Sequence, residues 1–246
     1  MENRFRQFIE HHALFTKDNR LLLAISGGAD SVALAYLLKS AGYLFAMAHC
    51  NFRLRAAESD EDEQFVRLLA KNIGCELFVT SFDTEEYAQQ KSVSIEMAAR
   101  DLRYAWFETV RQQYAFDYIV TAHHQDDNAE TMLLNQIRGT GLRGLQGILP
   151  KNQRIVRPLL CCSKTEILTY MNQHDYSYRI DSSNLESIYK RNKLRNDVFP
   201  LLMELNPSVI KTFNENATRF ADAFRFYRAH ISQELNLLVS NDGEIE

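Results

Sequence analysis

The sequence predicts an α/β protein, a doubly wound parallel sheet followed by a small helical region. Three observations predict it. Short apolar runs alternate with amphipathic stretches over the first 139 residues. Those runs are apolar at nearly every position, the pattern of strands covered on both faces. Polar clusters, "SGGADS", "HCNFRLR" and "AHHQDDNAET", follow three of the runs. In open sheets ligands bind beyond the carboxyl ends of the strands, which is where these clusters fall.

Each element has its own local reason. Phe5, Phe8, Ile9 and Phe15 recur at near-helical spacing over 4–15. "RLLLAI" (20–25) is short and ends in Ser-Gly-Gly, so it reads as a buried strand. "DSVALAYLLKSAG" (30–42) reads as a helix capped by Asp30 or Ser31 and stopped by Gly42. "YLFAMAHC" (43–50) is the second strand. "SDEDEQFVRLLAKNIG" (59–74) is a helix whose early carboxylates suit its dipole. "CELFVTSF" (75–82) is a strand, "SIEMAARDLRYAWFETVRQQY" (94–114) a long amphipathic helix, "FDYIVTAHH" (116–124) a fourth strand and "QDDNAETMLLNQIRG" (125–139) a helix.

After Gly139 the texture changes. "GTGLRGLQGILP" places four glycines within nine residues, a loop of close approach or flexible backbone. "IVRPLL" leads into a helix from Ser163 to Gln173, and a polar, basic segment follows around "DSSNLESIYKRNKLRND". From Pro207 the pattern is a helix or helix pair, ending in acidic "NDGEIE".

Composition bounds the class. The 246 residues are 46% apolar and 24% charged, ordinary for a globular protein. No apolar run is long enough to span a membrane. The N-terminus lacks the apolar core and cleavage site of a signal peptide, so a cytoplasmic address is expected. Cys50, Cys75, Cys161 and Cys162 form no Cys-x-x-Cys pair and are expected to be buried or free thiols. The net charge of −4 is unevenly spread: 138–195 holds 11 Lys/Arg against 4 Asp/Glu, leaving the remainder at −11. Such a segment suits a polyanion, or is simply a solvated basic face.

The first polar cluster carries chemistry. Gly27 and Gly28 let the backbone approach phosphate oxygens, consecutive N–H groups form an anion nest, and the next helix aims its positive end there. Walker A needs Gly-Lys-Ser/Thr, and here Gly-Ala-Asp-Ser stands instead. An aspartate beside phosphates needs an intervening cation, so Asp30 implies Mg²⁺. The plainer alternative is a strand–turn–helix with an aspartate cap. In "AHHQDDNAET", Asp127 and Glu130 lie three apart on one helix face, able to hold a metal or act as a base. Adjacent His123 and His124 point apart and do not make a zinc pair. The alternative there is a carboxylate-rich first turn with two partly buried histidines.

"SGGADS" resembles the pyrophosphate loop of the N-type ATP pyrophosphatases. Together with "AHHQDDNAET", "GTGLRGLQG", "RPLL" (157–160), "DSSN" (181–184) and "RNKLRNDVFP" (191–200), it resembles the tRNA(Ile)-lysidine synthetase branch of that superfamily over residues 20–200. The resemblance implies ATP and Mg²⁺ as cofactors. It implies adenylation of the position-2 carbonyl oxygen of the cytidine at the first anticodon position of tRNA(Ile) with a CAU anticodon. Free L-lysine then displaces AMP, which changes the codon read from AUG to AUA. Ser26, Gly27, Gly28, Ala29, Asp30 and Ser31 correspond to the pyrophosphate loop, with Asp30 as Mg²⁺ ligand. Ala24 and the strand end at His49 border the adenosine. Asp127 and Glu130 correspond to the acidic pair that handles the lysine ammonium and the metal, with His123 beside them. Arg103 corresponds to an arginine facing ATP or lysine, its alternative being a helix-surface arginine. Arg195, with Arg191 and Lys193, corresponds to the basic segment that reaches the cytidine, its alternative a solvated charge run.

The resemblance divides the chain into an ATP pyrophosphatase domain, 1–205, whose segment 138–200 faces tRNA, and a helical region, 206–246. It implies pairing as a homodimer and no membrane association. Phe52-Arg53 stand where family members carry a second histidine, which removes any histidine role there and leaves His49 and Arg55. The C-terminal domain with which many members grip the acceptor end is expected to be missing, leaving phosphate attraction, and its salt dependence, to the basic segment. The rivals are a thiolase, which needs paired cysteines, an amidotransferase-partner ATP pyrophosphatase, and a non-catalytic nucleotide module, which does not need Asp30, Asp127 and Glu130 together.

Overall fold

The computed structural model describes residues 1–54, 57–179 and 190–238. In chain order they form α1 (Glu2–His11), β1 (Leu21–Ala24), α2 (Ala29–Ser40), β2 (Phe45–Asn51), α3 (Ala57–Ile73), β3 (Leu77–Ser81), α4 (Thr84–Lys91), α5 (Ile95–Gln113) and β4 (Tyr118–Val120). There follow α6 (Gln125–Arg138), α7 (Leu142–Leu145), β5 (Lys151–Asn152), β6 (Ile155–Val156), a 3₁₀ turn (Pro158–Cys161) and α8 (Lys164–Gln173). Last come α9 (Lys190–Lys193), a π turn (Leu194–Val198), α10 (Phe199–Leu205) and α11 (Val209–Leu238). Two compact units result: Met1–His124 with Pro150–Ser183, and Gln125–Leu149 with Asn184–Glu246. No helix among the described residues is long and apolar enough to cross a membrane.

The first unit carries the sheet, in the order β3-β2-β1-β4-β6-β5. All neighbours pair parallel except β5, which closes the edge antiparallel to β6. Doubly wound topology was expected and is present; β5 and β6 are two residues each, too short to show a period. β1 has β2 on one side and β4 on the other, so the turns after β1 and β4 leave the sheet at its switch point.

Both faces of β1 are buried. Leu21 and Leu23 pack with Val32, Leu34 and Leu38 of α2, Phe5 and Ile9 of α1, and Ile167 and Met171 of α8. Leu22 points the other way, to Ala46, Ala48, Ile119 and the α5 residues Phe107 and Val110. Burying each of these leucines contributes about 1.5–3 kcal/mol, which is why a four-residue strand suffices at the centre.

Helix α8 begins with a capping box, Ser163 and Glu166 bonding each other's backbone N–H. Helix α4 was not anticipated: it is polar, buries only Thr84 and Ala88, and is started by the Asp83 carboxylate accepting from Glu86 N–H. The cap expected of α2 is corrected. Its N-cap is Gly28, no side chain caps it, and Asp30 and Ser31 lie inside its first turn.

In the second unit Ala129 and Leu134 of α6 pack with Leu194, Phe199 and Val209. The region after Pro207 is a single 30-residue helix. The π turn precedes Pro200, which has no N–H to return to the carbonyl four residues back and whose ring crowds it; a widened turn relieves both. "DSSN" (181–184), Arg55 and "NDGEIE" (241–246) lie outside the described residues.

Candidate active site

The turn after β1 is held open by its own serines. Ser31, buried, donates its hydroxyl to Gly28 O at 3.0 Å and accepts Ser26 N–H at 3.2 Å. Ser26 is exposed, with its Oγ 3.1 Å from that of Ser31 and 3.4 Å from Gly28 N. Ser31 is therefore a clasp, while the Ser26 hydroxyl faces solvent and can donate. Gly27 has φ +91°, a left-handed conformation that a side chain would strain, although a Cβ there would meet Phe65 only at ordinary contact distance. Because no side chain caps α2, its first-turn N–H groups are left to an anion.

Two contacts brace this turn. His49 is buried and its Nδ1–H donates to Ile25 O at 2.9 Å; burial pushes its pKa down, so it is neutral there. Arg179 N–H donates to Gly27 O at 2.9 Å, and its guanidinium binds Asp62 at 2.9 Å and Glu61 at 2.7 Å. The acid-rich start of α3 thus anchors a strap running beside the loop. Ala24, half-buried, ends β1. Exposed Arg103 of α5 lies over the Phe52 ring, 5.1 Å from its centroid, just past β2.

Asp30 has a neighbour that local sequence reasoning missed. Lys164 Nζ is 2.6 Å from its Oδ1. His124 Nε2 is 3.8 Å from Oδ2, and His123 Nδ1 is 3.0 Å from Thr121 Oγ1. One signal for Lys164 was present. A lysine at the first position of a helix opposes the helix dipole, so it calls for an acid partner.

The second unit brings together Asp127, Glu130 and Arg195. Arg195 binds Glu130 through two nitrogens, at 2.7 and 3.1 Å, and Asp127 at 3.4 Å. Glu130 is 1% exposed. Burial raises its pKa above the ordinary carboxylate value, and Arg195 opposes but does not cancel this. Arg191 donates to Thr131 Oγ1 at 3.0 Å, and Lys193 is exposed.

The glycine-rich stretch is fastened to α6. Asn128 Oδ1 accepts Ile148 N–H at 2.6 Å, its amide donates to Asn214 at 2.8 Å, and Asn135 donates to Gly144 O at 2.9 Å. Gly147 has φ +64°, and a Cβ on it would collide with Asn128 Oδ1. Of the two readings of this stretch, close approach is the one the structure has at Gly147. Nor is the basic run simply solvated. Lys151 donates to Ala13 O, Leu14 O and Tyr118, Lys164, Arg179 and Arg195 hold carboxylates, and Arg157 is buried. Arg138, Arg143, Arg154 and Lys193 are exposed.

Among the described residues no group of three or more His, Cys, Asp or Glu side chains is placed to hold a metal alone. A lone carboxylate beside uncapped N–H groups nevertheless fits Mg²⁺, which binds through one or two carboxylates together with substrate phosphates.

Comparison with known proteins shows the family and the fold. The PP-loop domain family matches residues 1–202. A tRNA(Ile)-lysidine synthase of Bacteroides thetaiotaomicron is 47% identical over 99% of this chain and 57% of its own length. One of Petrotoga mobilis is 33% identical over 95% of this chain and 75% of its own. The chain spans about half the length of the Bacteroides, Parabacteroides and Porphyromonas relatives it matches. Among solved structures, a U34-tRNA thiolase from Methanococcus maripaludis shares the fold, with TM-score 0.71 and 17% identity, covering 90% of this chain and 78% of the other.

Proposed function

The chain belongs to the tRNA(Ile)-lysidine synthase family of PP-loop proteins, and from that premise we propose that it acts in ATP-dependent joining of L-lysine to tRNA(Ile). The reaction is lysine ligation to the position-2 carbon of the cytidine at the first anticodon position of tRNA(Ile) with a CAU anticodon, with AMP and pyrophosphate released. ATP use follows from the PP-loop family; lysine, Mg²⁺ and homodimer formation are parts of the proposal.

The cytidine carbonyl oxygen attacks the α-phosphorus and pyrophosphate leaves. The first-turn N–H groups of α2 and the Ser26 hydroxyl hold that leaving group in place, and Ser31, Gly27 and Ala29 keep the turn in shape for it. Ala24 and the end of β2 at His49 flank the adenosine, with His49 acting through the Ile25 carbonyl. Asp30 is the residue that would hold Mg²⁺, which when bound screens the phosphate charge.

The second step forms a carbon–nitrogen bond as the lysine amine displaces AMP. An ammonium cannot attack, so one proton must leave first. Glu130 accepts it: a buried carboxylate with a raised pKa is a stronger base than an exposed one. Asp127 orients the ammonium, with His123 beside the pair in sequence. Arg195, with Arg191 and Lys193, meets the cytidine and its phosphates, Arg103 meets ATP or lysine, and exposed Arg138 and Arg143 add attraction for the tRNA backbone.

The observation that carries this reading is the pair Asp127 and Glu130 gripping a cation, the guanidinium of Arg195, at a buried carboxylate. A site that binds one side-chain cation in this way has the chemistry to bind a lysine ammonium. The test supplies ATP, labelled lysine and an unmodified tRNA(Ile) transcript, and follows label in tRNA together with pyrophosphate. Lysine-dependent incorporation is expected; its absence sinks the proposal. Asp30→Ala is expected to abolish adenylation while tRNA binding survives; loss of tRNA binding would make the loop a structural element instead.

A further inference from the structure

The arginines of α5 are held in two different ways. Arg111, near the end of the helix, binds the Glu108 carboxylate through two nitrogens, each at 2.7 Å. Arg103, earlier in the helix, has no carboxylate paired with it among the described residues. Its guanidinium lies over the Phe52 ring instead, 5.1 Å from the centroid. The difference matters chemically. A carboxylate grips a guanidinium by its N–H edge and cancels its charge. A ring holds it by its face, which leaves the charge uncancelled and the N–H donors directed outward in one plane.

The Phe52 ring is itself fixed from both sides of its turn. Asn51, buried, accepts Arg53 N–H at 3.0 Å and donates its amide to Asp60 at 3.2 Å and Glu63 at 3.1 Å, both on α3. Buried Thr84 donates its hydroxyl to Phe52 O at 3.0 Å, and Asn51 O accepts Phe82 N–H at 2.9 Å. The Phe82 ring stacks on that of Phe52, with 5.8 Å between centroids. Location then points to the ligand. Ala24 of β1 pairs in parallel with Ala48 of β2, so the Gly27 turn and the Phe52 turn leave neighbouring strands at the same edge of the sheet. Helix α5 leads into β4, which runs parallel to β1, so its first half, with Arg103, lies toward that edge too.

We propose that Phe52 is a positioning residue, whose ring sets the plane of the Arg103 guanidinium and presents its donors, still fully charged, to the polyphosphate of ATP. This rests on the reading of the loop after β1 as an ATP site, and it assigns Arg103 to ATP rather than to lysine. An acid in place of the ring would hold the arginine equally still but would compete with the phosphate for it.

The test is a double-mutant cycle on the full chain, read by calorimetric titration with Mg²⁺-ATP. Arg103→Gln is expected to weaken binding about tenfold or more, the loss of a charge-assisted contact. Phe52→Leu keeps apolar bulk but removes the ring, and is expected to weaken binding about two- to fivefold, the size of a cation–π contact. Phe52→Tyr keeps the ring and is expected to bind as wild type does. In the Arg103→Gln background, Phe52→Leu is expected to add nothing, because the residue it acts through is gone. Thermal melts followed by circular dichroism verify that each variant folds. Unchanged affinity in Phe52→Leu or in Arg103→Gln overturns the inference and leaves the ATP reading standing. Additive losses in the double variant, or an equal loss in Phe52→Tyr, overturn it as well, since Phe52 would then act by packing alone. Wild-type protein that does not bind Mg²⁺-ATP overturns the ATP reading of the loop and this inference with it.

Discussion

Replacing Gly147 by alanine tests whether the glycine-rich stretch is fastened to α6. The backbone there has φ +64°, a region that costs an L-residue about 1–2 kcal/mol. The added Cβ meets Asn128 Oδ1 head-on and lies 3.0 Å from Met132 Cγ. Asn128 is buried, and to give way it must break its bond from Ile148 N–H and its bond to Asn214. Two hydrogen bonds at about 0.5–1.5 kcal/mol each add about 1–3 kcal/mol. The expected loss is therefore about 2–5 kcal/mol in urea unfolding at 25 °C. Trp106 is the single tryptophan and lies in the first unit, so its fluorescence reports that unit while far-UV circular dichroism reports the helices of both. The collision has its own signature. In an Asn128→Ala background the same substitution is expected to cost only the backbone strain, because the colliding atom is gone. A loss under about 1 kcal/mol, or an equal loss in both backgrounds, refutes the reasoning.

The other predictions concern the loop and the acids. Ser31→Ala removes a buried clasp and is expected to destabilise by about 1–3 kcal/mol and to weaken ATP binding as the turn loosens. Ser26→Ala is expected to leave stability within about 0.5 kcal/mol and to weaken ATP binding alone; urea unfolding and calorimetry separate the two, and equal stability losses would contradict the division of roles. Glu130→Gln is expected to change how stability depends on pH. The carboxyl has its pKa raised on folding from 4.5, so the folded protein keeps a proton that the unfolded chain releases. That contribution is complete below the unfolded value and is lost as pH rises through the folded one. Melting temperature of the variant relative to wild type should therefore climb from about pH 4.5 toward neutral, and a flat or falling difference contradicts the assignment.

Local sequence was enough for much of this protein. Leu21–Leu23 are apolar at consecutive positions and run into Ser-Gly-Gly, which together suggest a buried strand, and the strand–helix alternation around them implies a parallel, doubly wound sheet. The pair of glycines before "ADS" and the three-residue spacing of Asp127 and Glu130 were legible because dihedral preference and helix-face geometry act within a few residues. The set of motifs, in order, was enough for the family.

What tertiary structure decided was which charges meet. Lys164 and Asp30 are 134 residues apart, Arg195 and Glu130 are 65 apart, and Arg179 and Asp62 are 117 apart. No window on the chain contains both members of any of these pairs. The order of strands brings the first and third together, and packing of the second unit brings Arg195 to Glu130. Burial is decided the same way. Glu130 and Arg157 look solvent-facing by residue type, and the fold buries both, so the raised pKa of the one and the lowered pKa of the other arise only on folding. "LLLAISGGADS" specifies a glycine turn with an acid in it; the lysine that balances the acid comes from the far side of the sequence.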